Sequence, residues 1–299
     1  MVKNMSKFEL VKNVDFGYLS VYPMPTKMEL NEFYEESYYQ KDTGQYSKTY
    51  SQDEINYFQS DCKVLDKLFE LTFPQSKRKS FLDVGCGEGF QANYFHEKKW
   101  EITCSDYSDF GLKTHHSHLM DRLIKGDFEG LIKQLIERND HYSIILLKNV
   151  LEHVVNPIET LNQLKKVMDE ETLLCVDVPN DYSPFQSYLT ENHYTENTWF
   201  CPPQHLHYFQ FESLRKLFDS QGFEIVSQQA GFAIEQFLLN EHSNYAKNKL
   251  LGKQAHLARC KASTFLLNSD VEKYIKLREA YANLSFGRDI VMIVKLKAK

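Results

Sequence analysis

The sequence lacks any closely spaced cysteine pair. Cys62, Cys86, Cys104, Cys175, Cys201 and Cys260 are scattered through 299 residues, and no C-x-x-C occurs. Neither a zinc ribbon nor a disulfide framework is indicated, and reduced cytosol is the expected compartment. It also lacks a run of about twenty apolar residues that could cross a bilayer, and its first residues hold no apolar stretch suited to a signal peptide. A soluble, cytoplasmic protein without a membrane span is expected. Basic charge is not in excess: the formal net charge of -6 gives no general attraction to a polyanion, so nucleic acid is not expected as a partner. What the chain does have is apolar residues at 42% and aromatic residues at 14%, enough to bury a full core as one large domain or one domain with additions.

The most informative stretch is Lys79-Ser-Phe-Leu-Asp-Val-Gly-Cys-Gly-Glu-Gly-Phe90. Phe81, Leu82 and Val84 read as a buried parallel strand. Gly85, Gly87 and Gly89 then let the backbone turn sharply and approach a ligand, and Gln91 to Lys99 reads as the following helix. The dinucleotide fingerprint is G-x-G-x-x-G with pyrophosphate at the helix start. Here the spacing is G-x-G-x-G with Phe90 in place of the last glycine, and Glu88 would repel a pyrophosphate. A ligand with ammonium and sulfonium centres meets no such penalty. The stretch resembles the first motif of class I S-adenosylmethionine (SAM) methyltransferases.

Later segments fall in the order that this resemblance requires. Trp100 to Asp106 reads as a strand ending in an acid about twenty residues beyond the turn, where a carboxylate can hold two ribose hydroxyls. Arg122 to Asp127 is a short strand ending in Gly-Asp-Phe128. His141 to Lys148 is a continuous aliphatic strand, typical of a central position, and leads into Asn149-Val-Leu-Glu-His-Val-Val-Asn-Pro157, which resembles a further motif of the family. Ile158 to Met168 reads as a helix, Thr172 to Pro179 as a strand, 181–208 as loop, Phe211 to Gly222 as a helix, and Phe223 to Phe232 and Asp289 to Lys297 as the last two strands. Strand and helix thus alternate.

The resemblance implies an α/β fold: a Rossmann-like seven-stranded sheet with helices on both faces, an N-terminal cap, and a helical insertion before the last strand. The expected divisions are a cap or lid with the first helix at 1–75, the SAM-binding core at 76–232, the insertion at 233–288 and the last core strand at 289–299. Residues 1–52 are tyrosine-rich and not sheet-like. The insertion is a substrate-site wall or a surface for a homodimer, and both readings stay open.

SAM is the implied cofactor, contacted by Asp83, Gly85, Cys86, Gly87, Asp106, Tyr107, Asp127, Phe128 and Lys148, with Asp127 receiving the adenine amino group. The expected activity is methyl transfer to a small-molecule acceptor, foremost a hydroxyl of a sugar or natural-product intermediate. Alternatives are N- or C-methylation and a SAM-binding scaffold or sensor without turnover. A hydroxyl acceptor must lose a proton, and histidine is the usual base near neutral pH. His205 and His153 are the candidate bases, His205 preferred, and Tyr39, Trp199 and His207 are candidate acceptor contacts. The ubiquinone-biosynthesis O-methyltransferases carry a Glu, then Glu-His, at the positions of Asn149, Glu152 and His153, a trio associated with a metal. Asn149 departs from that pattern and no metal is expected. His115, His116 and His118 read as a solvated helix face.

Overall fold

The computed structural model describes residues 7–26, 28–30, 33 and 49–298. Two short strands, β1 (Glu9–Lys12) and β2 (Leu19–Tyr22), pair antiparallel before the first long helix, α1 (Gln52–Thr72). Ser51 starts that helix with a capping box: its hydroxyl accepts the Glu54 amide while the Glu54 carboxylate accepts the Ser51 amide. Val64, Leu65, Leu68 and Phe69 lie on its buried stripe.

The central sheet is then assembled from β3 (Ser80–Val84), β4 (Glu101–Asp106), β5 (Leu123–Lys125), β6 (Ile144–Lys148) and β7 (Leu173–Pro179), all parallel. Between them come α2 (Phe90–Glu97), α3 (Phe110–His115), α4 (Phe128–Arg138) and α5 (Pro157–Leu164). After β7 follow α6 (Pro184–Glu191), β8 (His207–Tyr208), α7 (Phe211–Ser220) and β9 (Phe223–Ala230). Helices α8 (Gly252–Ser269) and α9 (Val271–Asn283) precede β10 (Asp289–Leu296). The strand order is β5-β4-β3-β6-β7-β10-β9, with β10 antiparallel to both of its neighbours.

Successive side chains on a strand point to opposite faces, and the core divides accordingly. Leu82, Val84, Ile145, Leu147, Leu174 and Val176 pack with Leu131 and Leu135 of α4, Leu161 and Leu164 of α5, and Leu214, Leu217 and Phe218 of α7. Phe81, Ile144, Leu146, Leu173 and Cys175 pack on the other face with Leu65 and Phe69 of α1, Phe95 of α2, and Leu267, Tyr274 and Ile275 of α8 and α9. The segment 233–288 therefore contributes directly to the same core as the strands. Both faces of β6 are covered, which explains its unbroken aliphatic run.

Two expectations need correction. The N-terminal region is not free of strands: β1 and β2 join β8 in a separate three-stranded sheet. At four residues each, β1 and β2 are too short for alternation to stand out. Nor is 181–208 all loop. The Ser183 hydroxyl accepts the Gln186 amide and Pro184 fills the first turn, which starts α6. Among the described residues no helix is long and apolar enough to cross a membrane.

Candidate active site

The carboxyl ends of β3, β4 and β6 place the glycine turn, the Asp106 region and the Asn149 to His153 stretch side by side, in the crevice where open parallel sheets bind ligands. The Gly85 and Cys86 amides both donate to the Ser105 carbonyl, at 2.8 and 2.9 Å, joining the turn to the end of β4. Gly85 has φ +71°, and a Cβ there would stand 2.8 Å from Val150 Cγ2, so both backbone conformation and space require glycine.

Asp106 Oδ2 accepts the Gly87 amide at 2.9 Å, and Oδ1 accepts the Ser108 amide at 2.9 Å. Its burial raises the carboxyl pKa, with the backbone amides acting in the opposite sense. Tyr107 beside it is exposed. Asp127 caps α4 by accepting the Gly130 amide at 2.8 Å, and Phe128 opens that helix and packs against the core. The Gly126 amide donates to the Asp106 carbonyl at 3.0 Å, holding the ends of β4 and β5 together.

Asp83 is buried with Oδ2 lacking a hydrogen-bond partner, and desolvation pushes its carboxyl up to about 7. Cys86 is also buried, with its thiol raised by Cys104 and by burial. The Lys148 ammonium lies 2.6 Å from Asp61 and 3.0 Å from Asp177, and Arg278 reaches Asp61 at 2.8 Å. This network joins α1 and α9 to the end of β6.

Tyr50 donates to the Glu88 carboxylate at 2.6 Å and rests on Phe58, Phe90 and His115. The end of the tyrosine-rich segment is thereby latched to the glycine turn; Tyr39 lies outside the described residues. His116 Nδ1 donates to the Glu88 carbonyl at 2.6 Å, and His118 Nε2 pairs with Asn93 at 2.9 Å. His116 thus braces the turn, while His118 stays on an exposed face, as expected.

The acceptor-side candidates converge on one loop. The Glu152 carbonyl accepts the Leu206 and His207 amides at 2.8 and 3.1 Å, which sets His205 beside His153 with ring centroids 5.0 Å apart. His153 Nδ1 is 2.5 Å from the Gln204 carbonyl, and its Nε2 is 3.6 Å from Glu152. Burial, then the charge of His205, brings His153 down to about 4. His205 Nδ1 faces Asp181 at 3.8 Å, an ion-pair distance too long for a hydrogen bond. Burial opposes its charged form, yet Asp181, Cys201 and Glu152 hold it up at about 10.

Glu152 is buried with neither carboxylate oxygen hydrogen-bonded, and desolvation pushes it up to about 8. One ligand atom from each of Glu152, His153 and His205 lies within 4.8 Å of the others, a grouping able to hold a metal ion. Asn149 is exposed, with φ 54°. His207 is buried between Ser20 at 2.9 Å and the Val154 carbonyl at 3.0 Å, pinning the loop to β2. Trp199 is half-buried in the preceding loop.

A family model described as "Methyltransferase domain" matches residues 56–228, more than half of the chain. The chain belongs to the class I SAM-dependent methyltransferases. SAM is the cofactor that goes with this membership. Among curated relatives of this methyltransferase, the ubiquinone biosynthesis O-methyltransferase of Nitrosospira multiformis is 31% identical over 85 residues, covering 28% of the chain and 36% of the relative. That of Nitrosomonas europaea is 26% identical over 92 residues, covering 30% and 39%. The methyltransferase thus spans little more than a third of these relatives' length. Among solved structures, plantazolicin methyltransferase BpumL in complex with a monoazolic desmethylPZN analog and SAH superposes with a TM-score of 0.51 at 16% identity, covering 90% of this chain and 94% of that one. This last likeness concerns the fold.

The sequence names Glu152 only with Asn149 and His153, by resemblance to a metal-associated trio; that neither of its carboxylate oxygens finds a hydrogen-bond partner is a tertiary property. Asp181 has no place in the sequence reading. Asp181 follows β7 and joins His205 to Arg288, which it meets at 2.5 Å. Its signal was an acid just past a strand's carboxyl end, the same signal that marked Asp106.

Proposed function

We propose that this methyltransferase moves the SAM methyl group to the oxygen of a small-molecule acceptor, a hydroxyl of a sugar or natural-product intermediate. The supporting observation is the group of a buried Glu152 with the half-buried His153 and His205 just beyond the end of β6. The names of the ubiquinone-biosynthesis relatives and the plantazolicin enzyme also point to small molecules.

The transfer is an in-line displacement at carbon: the acceptor oxygen forms a bond to the methyl as the carbon–sulfur bond breaks, leaving a thioether. The cofactor supplies the reactive carbon, and the protein supplies position and electrostatics. Asp83, the turn at Gly85 to Gly87, Asp106, Tyr107, Asp127 and Phe128 hold the cofactor in this reading, and Lys148 contributes through the strand end that its ion pairs fix. The proton lost by the hydroxyl goes to the imidazole of His153, which burial holds neutral, beside a His205 that its acidic neighbours hold protonated. Trp199 contacts the acceptor in this reading, while His207 fixes the loop. Tyr50, bonded to Glu88, shields the glycine turn from water in this reading.

The test is incubation of the protein with cell extract and methyl-labelled SAM, followed by untargeted mass spectrometry. The expected product is a small molecule carrying one labelled methyl on oxygen. Label on nitrogen or carbon, or no labelled small molecule, would contradict the proposal.

A further inference from the structure

Glu152 is 1% exposed and neither carboxylate oxygen has a hydrogen-bond partner. A buried carboxylate in that state is strongly unfavourable unless a proton or a cation neutralises it. The two imidazoles beside it are arranged for the second alternative. His153 turns Nδ1 to the Gln204 carbonyl, which fixes the proton there and leaves Nε2 on the Glu152 side. His205 stands on the other side of the group, its Nδ1 3.8 Å from the Asp181 carboxylate, and one of its ring nitrogens lies within reach of Glu152 and His153. Histidines that bind metals characteristically give their other ring nitrogen to a backbone carbonyl or a carboxylate; the His153 bond to the Gln204 carbonyl is of that kind, and the Asp181 carboxylate stands 3.8 Å from His205 Nδ1.

We propose that Glu152, His153 and His205 bind a single divalent transition-metal ion, with Zn2+ the best match to two imidazoles and one carboxylate. The ligand atoms already lie within 4.8 Å of one another. Tetrahedral binding at about 2.0–2.1 Å draws them to about 3.4 Å, a contraction that side-chain rotation supplies. The ligand set belongs to this chain. Asn149 stands where the resembled ubiquinone enzymes have an acid, and it is exposed at the strand end. The third ligand comes instead from the loop of His205, which the Glu152 carbonyl holds in place.

Three protein ligands leave one position for a further oxygen, and an ion there lowers the pKa of a bound hydroxyl. That use rests on the O-methylation reading; metal binding rests on the geometry alone.

The test uses the full chain freed of metal by chelation, titrated with Co2+ as a visible-absorption probe and then with Zn2+ in calorimetry. The expected result is one equivalent bound, with four-coordinate Co2+ bands that Zn2+ abolishes. Glu152→Gln and His205→Ala should each lose stoichiometric binding while keeping the wild-type SAH-induced rise in melting temperature, which shows that they fold. Asn149→Ala and His118→Ala should bind as wild type. No stoichiometric binding by the wild type, or undiminished binding by His205→Ala, would overturn the proposal. Methyl transfer is measured on the same samples. A loaded protein that methylates no hydroxyl would sink the O-methylation reading and leave the metal site standing, whereas O-methylation by a protein that binds no metal would overturn the metal site alone.

Discussion

The carbonyl oxygen of Glu152 accepts the Leu206 amide at 2.8 Å, and this bond lays the loop of His205 against the turn that carries His153. Residues more than fifty positions apart in sequence thus stand side by side. His205→Ala and His153→Ala should each lower turnover, by about a hundredfold to ten-thousandfold for the more severe variant, with SAH affinity nearly unchanged. The double variant should lose less than the product of the two single losses, because the imidazoles act as a unit. Steady-state rates at saturating acceptor check this; full activity in the double variant would remove both histidines from the chemistry.

Asp106 closes on the Gly87 amide, so its carboxylate shapes the turn, and the sequence reading expects it to hold the ribose. Asp106→Ala should weaken SAH binding by about 1.5–3 kcal/mol, the cost of losing a charge-assisted acceptor. Titration calorimetry measures it, and unchanged affinity would mean that the ribose binds elsewhere.

Asp83 carries a pH signature. Its folded pKa of about 7 lies above the unfolded value of roughly 3.9. Between these values the folded chain holds a proton that the unfolded chain has lost, so stability falls as pH rises through that window. The raised Asp177, at about 6, adds a contribution of the same sign. The melting temperature without cofactor should therefore be higher at pH 5 than at pH 8, and Asp83→Asn should narrow the gap. An equal gap in wild type and variant would contradict this.

Arg278 of α9 reaches Asp61 of α1 across the segment that joins them, and Asp61 also receives Lys148. Breaking a buried pair by removing one partner typically costs about 3–5 kcal/mol. Arg278→Ala should cost an amount of that order in urea unfolding, and Asp61→Asn added to it should cost less than on its own. Strict additivity would show that the two residues do not interact.

How much of this was legible varied with how local the cause was. The strands from Phe81 to Val84 and from Ile144 to Lys148 announced themselves because burial on both faces demands unbroken apolar runs. The turn at Gly85 to Gly89 was readable because only glycine fits its backbone. The hairpin of β1 and β2 was not, because eight paired residues carry too little alternation and depend on β8, almost two hundred positions away. The polar group at Glu152 was half legible: the motif marked the residues, but the loop bonds that bring His205 to them arise only in the folded chain. Segment 233–288 read as helical, while its share in the core with Phe81 and Phe95 could not be seen from composition.

The most direct measurement is a calorimetric titration of the purified protein with SAH, set beside one with NAD. The expected result is one SAH bound per chain and none of the dinucleotide, with the melting transition stabilised by roughly 2.7 kcal/mol at a hundredfold excess over the dissociation constant. Silence with SAH, or clear binding of NAD, would contradict a SAM site at the glycine turn.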